Sequence, residues 1–214
     1  MAEQGLRERK KQRTRQLIAT TAHALFVERG FDAVTVAEVA RRADVSVATV
    51  FNYFPTKEDL VYSQMEAFQT ALVEAIGNRG PGVPVSAAFR GFVFEYPQGL
   101  LADHDPDALE DLVAGARMIA GSPALRARER QTFDECIASL AEVLAAEVDG
   151  PDDDVEAWVV ANALVGVQRA LVTSVRRMLL AGTPGPELAR AVRTQGERAL
   201  ATLESGLGTR PSTT

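Results

Sequence analysis

The strongest constraint on the fold is a closely spaced series of helix starts and stops between residues 30 and 59. Gly30 follows an amphipathic stretch from about residue 9 to residue 29 and predicts its end, because glycine adopts a left-handed conformation with little strain. Thr35 and Glu38 form a capping box, in which each side chain accepts a hydrogen bond from the other residue's backbone N–H. The pattern predicts a long first helix and a second helix that begins after Thr35.

The second helix is short, and a third helix follows it after a tight turn. Asp44 lies in the turn and Ser46 is a typical N-cap residue, so the third helix is expected to run from Val47 to about Phe54. Pro55 closes it, because proline has no backbone N–H and restricts the residue before it. Two short helices joined by a tight turn have the proportions of a helix-turn-helix unit.

Beyond residue 56 the apolar residues recur at helical spacing, and no segment alternates as a strand does. Thr56 and Asp59 frame the start of a fourth helix, and a glycine-rich loop over residues 77–82 follows it. Caps and apolar stripes predict further helices from Pro106, from Pro123, over about residues 153–181 and over about residues 186–205. The sequence therefore predicts an all-α protein without internal repeats.

The net charge of −6 hides an uneven distribution. Residues 1–15 carry six basic and two acidic side chains, whereas residues 61–214 carry 13 basic and 21 acidic ones. A basic end on an acidic body favours an orientation in which that end faces a polyanion. The alternative is a solvated run of terminal charges without a partner, which has the same composition. Cys136 has no second cysteine to pair with, and no uncharged apolar run reaches the roughly 18 residues of a bilayer span. We therefore expect a cytoplasmic protein with no membrane partner.

The third helix has a composition that suits a DNA-contacting surface better than a core. From Val47 to Tyr53 it combines small, hydroxyl, amide and aromatic side chains without a charge. In a helix-turn-helix unit the second helix presents such residues to base edges in the major groove, while hydroxyl and cationic groups contact phosphates. A capped helical hairpin without a DNA role has the same spacing, so the residues alone leave both interpretations open.

The order and spacing of residues 35–60 resemble those of the tetracycline-repressor (TetR) family of bacterial regulators. The matching residues are Thr35-Val36-Ala37-Glu38-Val39-Ala40, Val45-Ser46 and Thr49-Val50-Phe51-x-Tyr53-Phe54-Pro55-Thr56-Lys57-Glu58-Asp59-Leu60. Two residues depart from the family pattern. Asp44 stands where glycine is common, and Asp tolerates the left-handed conformation. Phe51 replaces a frequent tyrosine and therefore lacks the hydroxyl for one phosphate contact.

The resemblance implies a three-helix DNA-binding head over residues 1–56, a helical-bundle body for ligand binding and dimerisation over residues 57–206, and a disordered tail over residues 207–214. The basic N-terminal arm before Thr14 is expected to be disordered in the free protein. The resemblance assigns phosphate contacts to Thr35, Ser46, Thr49, Tyr53 and Lys57. It assigns base-facing positions to Val47, Ala48 and Asn52, and Phe51 can contact a thymine methyl group.

By the same resemblance the body encloses a pocket for a mainly hydrophobic ligand. The candidate lining residues are Phe68, Phe92, Tyr96, Arg117, Phe133, Trp158, Asn162 and Arg169. Ordinary core packing is the alternative for each aromatic residue. Asn162 lies among apolar residues of a helix and is the strongest candidate, and a hydrogen-bonded buried amide is its alternative.

The helix over about residues 153–181 is apolar on two faces, so it needs two packing partners. It lies either deep in the core or partly in a subunit interface. One face, together with the last helix, is assigned to the seam of a homodimer, which consists of Val165, Val172, Leu179, Leu200 and Leu203.

Other features indicate neither a metal nor an enzyme. His104 and its neighbouring carboxylates lack a second histidine to complete a usual ligand set, and no cofactor is expected. Cys136 lies on an apolar stripe and is interpreted as a core residue, with a redox role as the alternative. No nucleophile or nucleotide-binding motif is present.

The function expected from the resemblance is a repressor that binds a pseudo-palindromic operator as a homodimer and is released by a small molecule. A ligand in the body would shift the fourth helix and with it the spacing of the two heads. A DNA-binding factor without a ligand, or an activator, is the alternative, and an enzyme is a distant third.

Overall fold

The computed structural model describes residues 2–95, 106–147 and 155–205, and all the regular structure in these ranges is helical. The described ranges form nine helices, namely α1 (Ala2–Arg29), α2 (Val36–Arg42), α3 (Val47–Tyr53), α4 (Asp59–Gly77), α5 (Val85–Glu95), α6 (Pro106–Gly121), α7 (Pro123–Ala145), α8 (Val155–Leu180) and α9 (Gly185–Glu204). The all-α fold is therefore confirmed, and the predicted helix starts at Pro106 and Pro123 are correct.

Contacts between residues divide the chain into two compact units. Unit 1 comprises Met1–Glu66 and Arg117–Glu129, and unit 2 comprises Ala67–Ala116 and Arg130–Thr214. Unit 1 thus holds α1, α2, α3 and the start of α4, together with the end of α6 and the start of α7. Helical periodicity does not reveal which helices meet, so the contribution of residues 117–129 to unit 1 was not expected from the sequence.

Helix α1 is longer at its start than the sequence pattern indicated. It begins at Ala2, so the expectation of a disordered arm before Thr14 is wrong. The segment is rich in Gln, Arg, Glu and Lys, which are good helix formers, and this propensity outweighs the repulsion between its basic side chains. The helix ends at Arg29 as predicted, and Gly30 follows with φ +82°.

The caps of α2 and α3 are those predicted. Glu38 Oε2 accepts a hydrogen bond from the Thr35 N–H at 2.9 Å, and Thr35 Oγ1 accepts one from the Glu38 N–H at 3.2 Å. Ser46 Oγ accepts a hydrogen bond from the Thr49 N–H at 3.0 Å. Asp44 lies between the two helices with φ +55°, so an aspartate supplies the left-handed residue of the turn.

The core of unit 1 fixes the orientation of α3. Phe26 of α1, Val39 of α2, Val50 of α3, Phe54 just after α3 and Leu125 of α7 are each at most 2% exposed and belong to one cluster. Since Val50 and Phe54 face this core, the opposite side of α3 is left at the surface. The core thus determines which side chains of α3 are available to a partner.

Unit 2 is built around α8 and α9, and α5 packs against both. Gly196 of α9 allows this packing, because a Cβ atom there would lie 2.5 Å from the Phe94 ring of α5. Helix α8 is long and apolar enough to meet the length and composition criteria for a bilayer span, which a core helix of a soluble protein also meets. Nine of its residues are buried in the single chain.

The predicted dimer seam requires correction at three of its five residues. Val165, Leu179 and Leu200 are 1%, 5% and 1% exposed in the single chain, whereas Val172 and Leu203 are partly exposed. The second apolar face of α8 is therefore covered largely by the subunit's own helices. The sequence pattern indicated two packed faces but contained no information on which chain covers the second one.

Candidate DNA-binding surface

One face of α3 is exposed and carries the residues that were predicted to face bases. Val47 and Phe51 are 41% and 46% exposed, and Ala48 and Asn52 beside them are exposed too. The four lie together because residues three and four positions apart lie on the same side of a helix. Val47 and Phe51 do not belong to the core cluster of unit 1, so this face is available to a partner.

A groove with a volume of about 770 Å³ adjoins this face, and we call it the basic groove. It is lined by Arg7, Lys10, Lys11 and Thr14 of α1 and by Thr49, Asn52 and Tyr53 of α3. Among the side chains that the structure describes, the lining contains three cations and no carboxylate. Cations beside hydroxyl and amide groups favour a polyanion whose backbone and bases are contacted together. Sequence reasoning had placed these cations on a disordered arm, and helix α1 places them opposite α3.

The hydroxyl groups predicted to contact phosphates also hold the helix caps. Thr35 Oγ1 donates to Glu38 Oε2 at 3.1 Å, and the hydroxyls of Ser46 and Thr49 lie 2.8 Å apart. The hydrogen bond from the Thr35 N–H and then that from the Arg29 guanidinium lower the pKa of Glu38 to about 2. Thr35 and Ser46 are exposed, and the single hydrogen of each hydroxyl can be donated either within the cap or to a phosphate oxygen.

Lys57 has a partner inside unit 1. Its Nζ donates to the Phe31 carbonyl at 2.6 Å and lies 4.2 Å from the centroid of the Phe31 ring. The side chain is half-buried and ties the turn after α1 to the segment before α4. Its ammonium has further N–H groups, so a phosphate contact remains a prediction for Lys57, in addition to this packing role.

A charged cluster, which we call the α4 clamp, connects four elements of unit 1. It consists of Arg15, Asp59, Glu66 and Arg128. Arg128 of α7 donates to Asp59 and Glu66 at 2.6 Å each, and Arg15 of α1 donates to Glu66 at 3.2 Å. The Arg15 guanidinium also lies 4.7 Å from the centroid of the Phe54 ring, just after α3. The clamp thus joins the start of α4 to α1, α7 and the end of α3.

Burial and ion pairing oppose each other in the α4 clamp. Burial disfavours the charged form of Asp59, but the hydrogen bonds from Arg128 and Thr56 outweigh it and lower the pKa of Asp59. Burial raises the pKa of Glu66, although Arg128 and Arg15 act in the opposite direction. Sequence reasoning missed the clamp, because Asp59 and Arg128 are 69 residues apart and no local pattern relates them.

The ligand candidates fall into two groups. The rings of Phe68 and Phe92 are in contact with centroids 5.1 Å apart, and Phe133 is buried. The residues that are exposed in the single chain, and so do not line its interior, are Arg117, Trp158, Asn162 and Arg169. Tyr96, His104 with its neighbouring carboxylates, and residues 207–214 lie outside the described residues.

Asn162 is not the buried amide of α8. Its amide donates to the Trp158 carbonyl at 2.8 Å on the exposed side of the helix. Gln168 is buried instead, because at about 100° per residue it lies between the two apolar faces predicted for this helix. The angular position of each amide around the helix, compared with the two apolar faces, would have distinguished Gln168 from Asn162 in the sequence.

Metal and thiol chemistry have little support in the described part of the chain. Within it, no group of three or more His, Cys, Asp or Glu side chains is placed to hold a metal ion. Cys136 is buried, and burial raises the pKa of its thiol to about 11. The thiol is therefore protonated at neutral pH, as expected of a core cysteine.

A three-helix unit whose second short helix exposes one face beside a basic groove defines a helix-turn-helix DNA-binding protein. Comparison with known families agrees. Residues 18–62 match the family described as bacterial regulatory proteins, tetR family, and residues 85–207 match the MftR C-terminal domain. The chain belongs to the TetR family and is a transcriptional regulator of that family.

Individual relatives support the assignment. The HTH-type transcriptional regulator TcmR of Streptomyces glaucescens is 32% identical over 155 residues, which cover 70% of this chain and 67% of TcmR. The HTH-type transcriptional regulator LuxR of Vibrio harveyi is 51% identical over 47 residues, but these cover only 22% of this chain and 23% of LuxR. The similarity to LuxR therefore concerns a short segment.

Solved structures show the same fold. A TetR-family transcriptional regulator from Syntrophomonas wolfei superposes with a TM-score of 0.57 at 17% identity, over 90% of this chain and 97% of that one. Another from a Rhodococcus species superposes with a TM-score of 0.51 at 15% identity, over 87% and 98% of the two chains. At such identities the likeness concerns the fold alone.

Proposed function

We propose that the protein is a cytoplasmic repressor that binds a pseudo-palindromic operator as a homodimer and leaves it when a small molecule binds in unit 2. The observation that carries the DNA-binding part is the basic groove, where the cations of α1 and the polar residues of α3 line one surface. The relatives are regulators, and we infer that this chain is a regulator and not an enzyme.

In the proposed complex α3 lies in the major groove. Asn52 reads an adenine edge, and Val47, Ala48 and Phe51 contact thymine methyl groups or the bases beside them. The phosphate contacts come from Thr35, Ser46, Thr49, Tyr53 and Lys57, together with the cations of the basic groove, Arg7, Lys10 and Lys11. The division follows from chemistry, because cations and hydroxyls suit phosphate oxygens whereas amide and methyl groups suit base edges.

Two heads are needed to read two half-sites. Because Val165, Leu179 and Leu200 are buried in the subunit, we propose another part of α8 for the interface. Apolar side chains exposed at its start are Val155, Trp158 and Val159. An exposed tryptophan with apolar neighbours suits the centre of a protein interface. The interface assignment therefore moves from the middle of α8 to its first turns.

Release by a ligand requires that ligand and DNA favour different conformations. The α4 clamp is the proposed connection, because Arg128 holds the start of α4 through Asp59 and Glu66. Helices α4, α6 and α7 each contribute residues to both units. A ligand that shifts α4 or α7 would break or strain the ion pairs of the clamp. Because Arg15 of the clamp contacts Phe54, which directly follows α3, the position of α3 would change as well.

The base-reading role of Asn52 is tested by comparing Asn52→Ala with a matched control, Gln64→Ala, which removes an exposed amide from α4. Both variants are titrated against selected operator and random duplex DNA by fluorescence anisotropy. Asn52→Ala is expected to lower the preference for the operator by about 10- to 100-fold, since a bidentate base contact accounts for roughly 1–3 kcal/mol. Gln64→Ala should behave as wild type. An equal loss on operator and random DNA contradicts base reading by Asn52.

A further inference from the structure

Unit 2 buries two side-chain amides that have unpaired atoms. Gln168 of α8 is 2% exposed and its Oε1 accepts no hydrogen bond, and Gln69 of α4 is 5% exposed and its Nε2 donates none. Nearly all buried polar atoms in folded proteins have a partner, because an unpaired one loses its hydration without replacement. A buried unpaired carbonyl oxygen is therefore a group that a bound molecule can satisfy.

The other buried polar side chains described in unit 2 have partners. Ser174 donates to Gln195 at 2.6 Å, and Thr132 also has an interaction partner. No charged side chain is buried among the described residues of this unit, since the buried Asp59 belongs to unit 1. The interior of unit 2 thus offers neutral hydrogen-bonding groups in apolar surroundings, which disfavours a charged ligand.

Gln168 occupies the centre of the buried face of α8. At about 100° per residue it lies within roughly 60° of Leu164, Val165 and Leu171 on the helix circumference. The side chain of Leu171, one turn further on, lies with the Phe94 ring beside Gly196. The amide is therefore surrounded on its helix by aliphatic positions and lies one turn from the junction of α5, α8 and α9.

We propose that Gln168 is the polar recognition residue of the effector site, and that the effector is a neutral, mainly apolar alcohol or phenol. The effector's hydroxyl donates to Gln168 Oε1. This inference rests on the proposed function of a ligand-responsive regulator and adds the chemical class of the ligand.

The first test needs no ligand. Gln168→Met keeps the length of the side chain and removes the amide, and Gln195→Met does the same to an amide that already has a partner. In urea unfolding of the ligand-free protein, Gln168→Met should be at least as stable as wild type, because it removes a buried carbonyl oxygen that accepts no hydrogen bond. Gln195→Met should unfold at lower urea, since it leaves the O–H of the buried Ser174 without its acceptor. A Gln168→Met midpoint lowered as much as that of Gln195→Met overturns the proposal.

The second test uses neutral aromatic alcohols paired with their methyl ethers, such as 2-naphthol with 2-methoxynaphthalene, and the thermal shift of the full chain. Wild type should bind the alcohol about tenfold more tightly than the ether, and Gln168→Met should bind the two within about twofold. If wild type shows no preference for the alcohols over their methyl ethers, the proposal is overturned. It is also overturned if that preference persists in Gln168→Met.

Operator binding is measured beside the thermal shifts to separate the two conclusions. An alcohol preference that depends on Gln168, with operator affinity unchanged by the alcohol, supports the recognition site and contradicts release by ligand. Release by molecules that show no dependence on Gln168 supports the regulator and overturns the role of Gln168. The two failures are therefore distinguishable.

Discussion

The basic groove predicts how steeply operator binding depends on salt. Arg7, Lys10 and Lys11 line it from α1, and the proposed dimer presents two grooves, so about six cations face phosphates. Each phosphate contact contributes about 0.9 to the slope of log K against log salt for duplex DNA. The six together contribute a slope of about 5, which corresponds to a loss of affinity of roughly a thousandfold between about 50 and 200 mM salt.

The perturbation that tests this magnitude is the triple substitution of Arg7, Lys10 and Lys11 by Gln. Glutamine has nearly the same helix propensity as Arg and Lys, so α1 is expected to remain intact. The salt slope should fall by about 5 units, and the affinity loss should be largest at low salt, because screening and counterion competition already weaken these contacts at high salt. Fluorescence anisotropy titrations at several salt concentrations measure both quantities.

A matched control removes three cations from elsewhere. Arg126, Arg190 and Arg198 are exposed on α7 and α9, and their substitution by Gln changes the net charge by the same amount. The control should keep the wild-type slope to within about one unit. If it lowers the slope as much as the groove variant, net charge and not the basic groove determines binding, and an unchanged slope in the groove variant refutes the phosphate contacts.

Three further predictions test the structure. Gly196→Ala should destabilise the protein by about 1–2 kcal/mol in urea unfolding, because the added methyl group overpacks against the buried Phe94 ring. Gly166→Ala, with open space around its Cβ position, should stabilise it by about 0.5–1 kcal/mol. Equal effects of the two would contradict the close approach of Gly196 to that ring. Arg128→Met leaves the Asp59 carboxylate without its main cation, so stability should fall by about 2 kcal/mol and operator affinity with it; unchanged values would refute the clamp. Because the pKa of Glu38 is lowered to about 2, its stabilisation is present above pH 4.5 and lost as the pH falls towards 2; the urea midpoints of wild type and Glu38→Gln should therefore converge in acid, and parallel curves would contradict this.

The caps and turns of the head could be predicted from the sequence because they depend on residues a few positions apart. Thr35 and Glu38 cap α2, Ser46 caps α3, and Asp44 adopts the left-handed turn conformation, as the pattern indicated. The exposure of Asn52 agrees with the position that the family resemblance gave it. Local chemistry was sufficient wherever the interaction was itself local.

Tertiary contacts were not accessible in the same way. Arg128 joins Asp59 across 69 residues, and nothing in the spacing of either relates them. The apolar faces of α8 were recognised, but Val165 was assigned to a partner chain although the subunit covers it. Periodicity indicates that a face is buried and gives no information on what buries it. For the same reason the pattern favoured Asn162 as the buried amide, where the helical phase of Gln168 was the better guide.

Selection of binding sites from a random pool of duplex DNA tests the central claim most directly. The full-length protein is incubated with the pool, bound duplexes are recovered through several rounds, and the enriched sequences are determined. The proposed dimer, with α3 of each subunit in the major groove, predicts an inverted repeat whose half-sites are centred about one helical turn, or a small multiple of it, apart. Enrichment of no sequence, or of a single site without two-fold symmetry, would contradict an operator-binding homodimer.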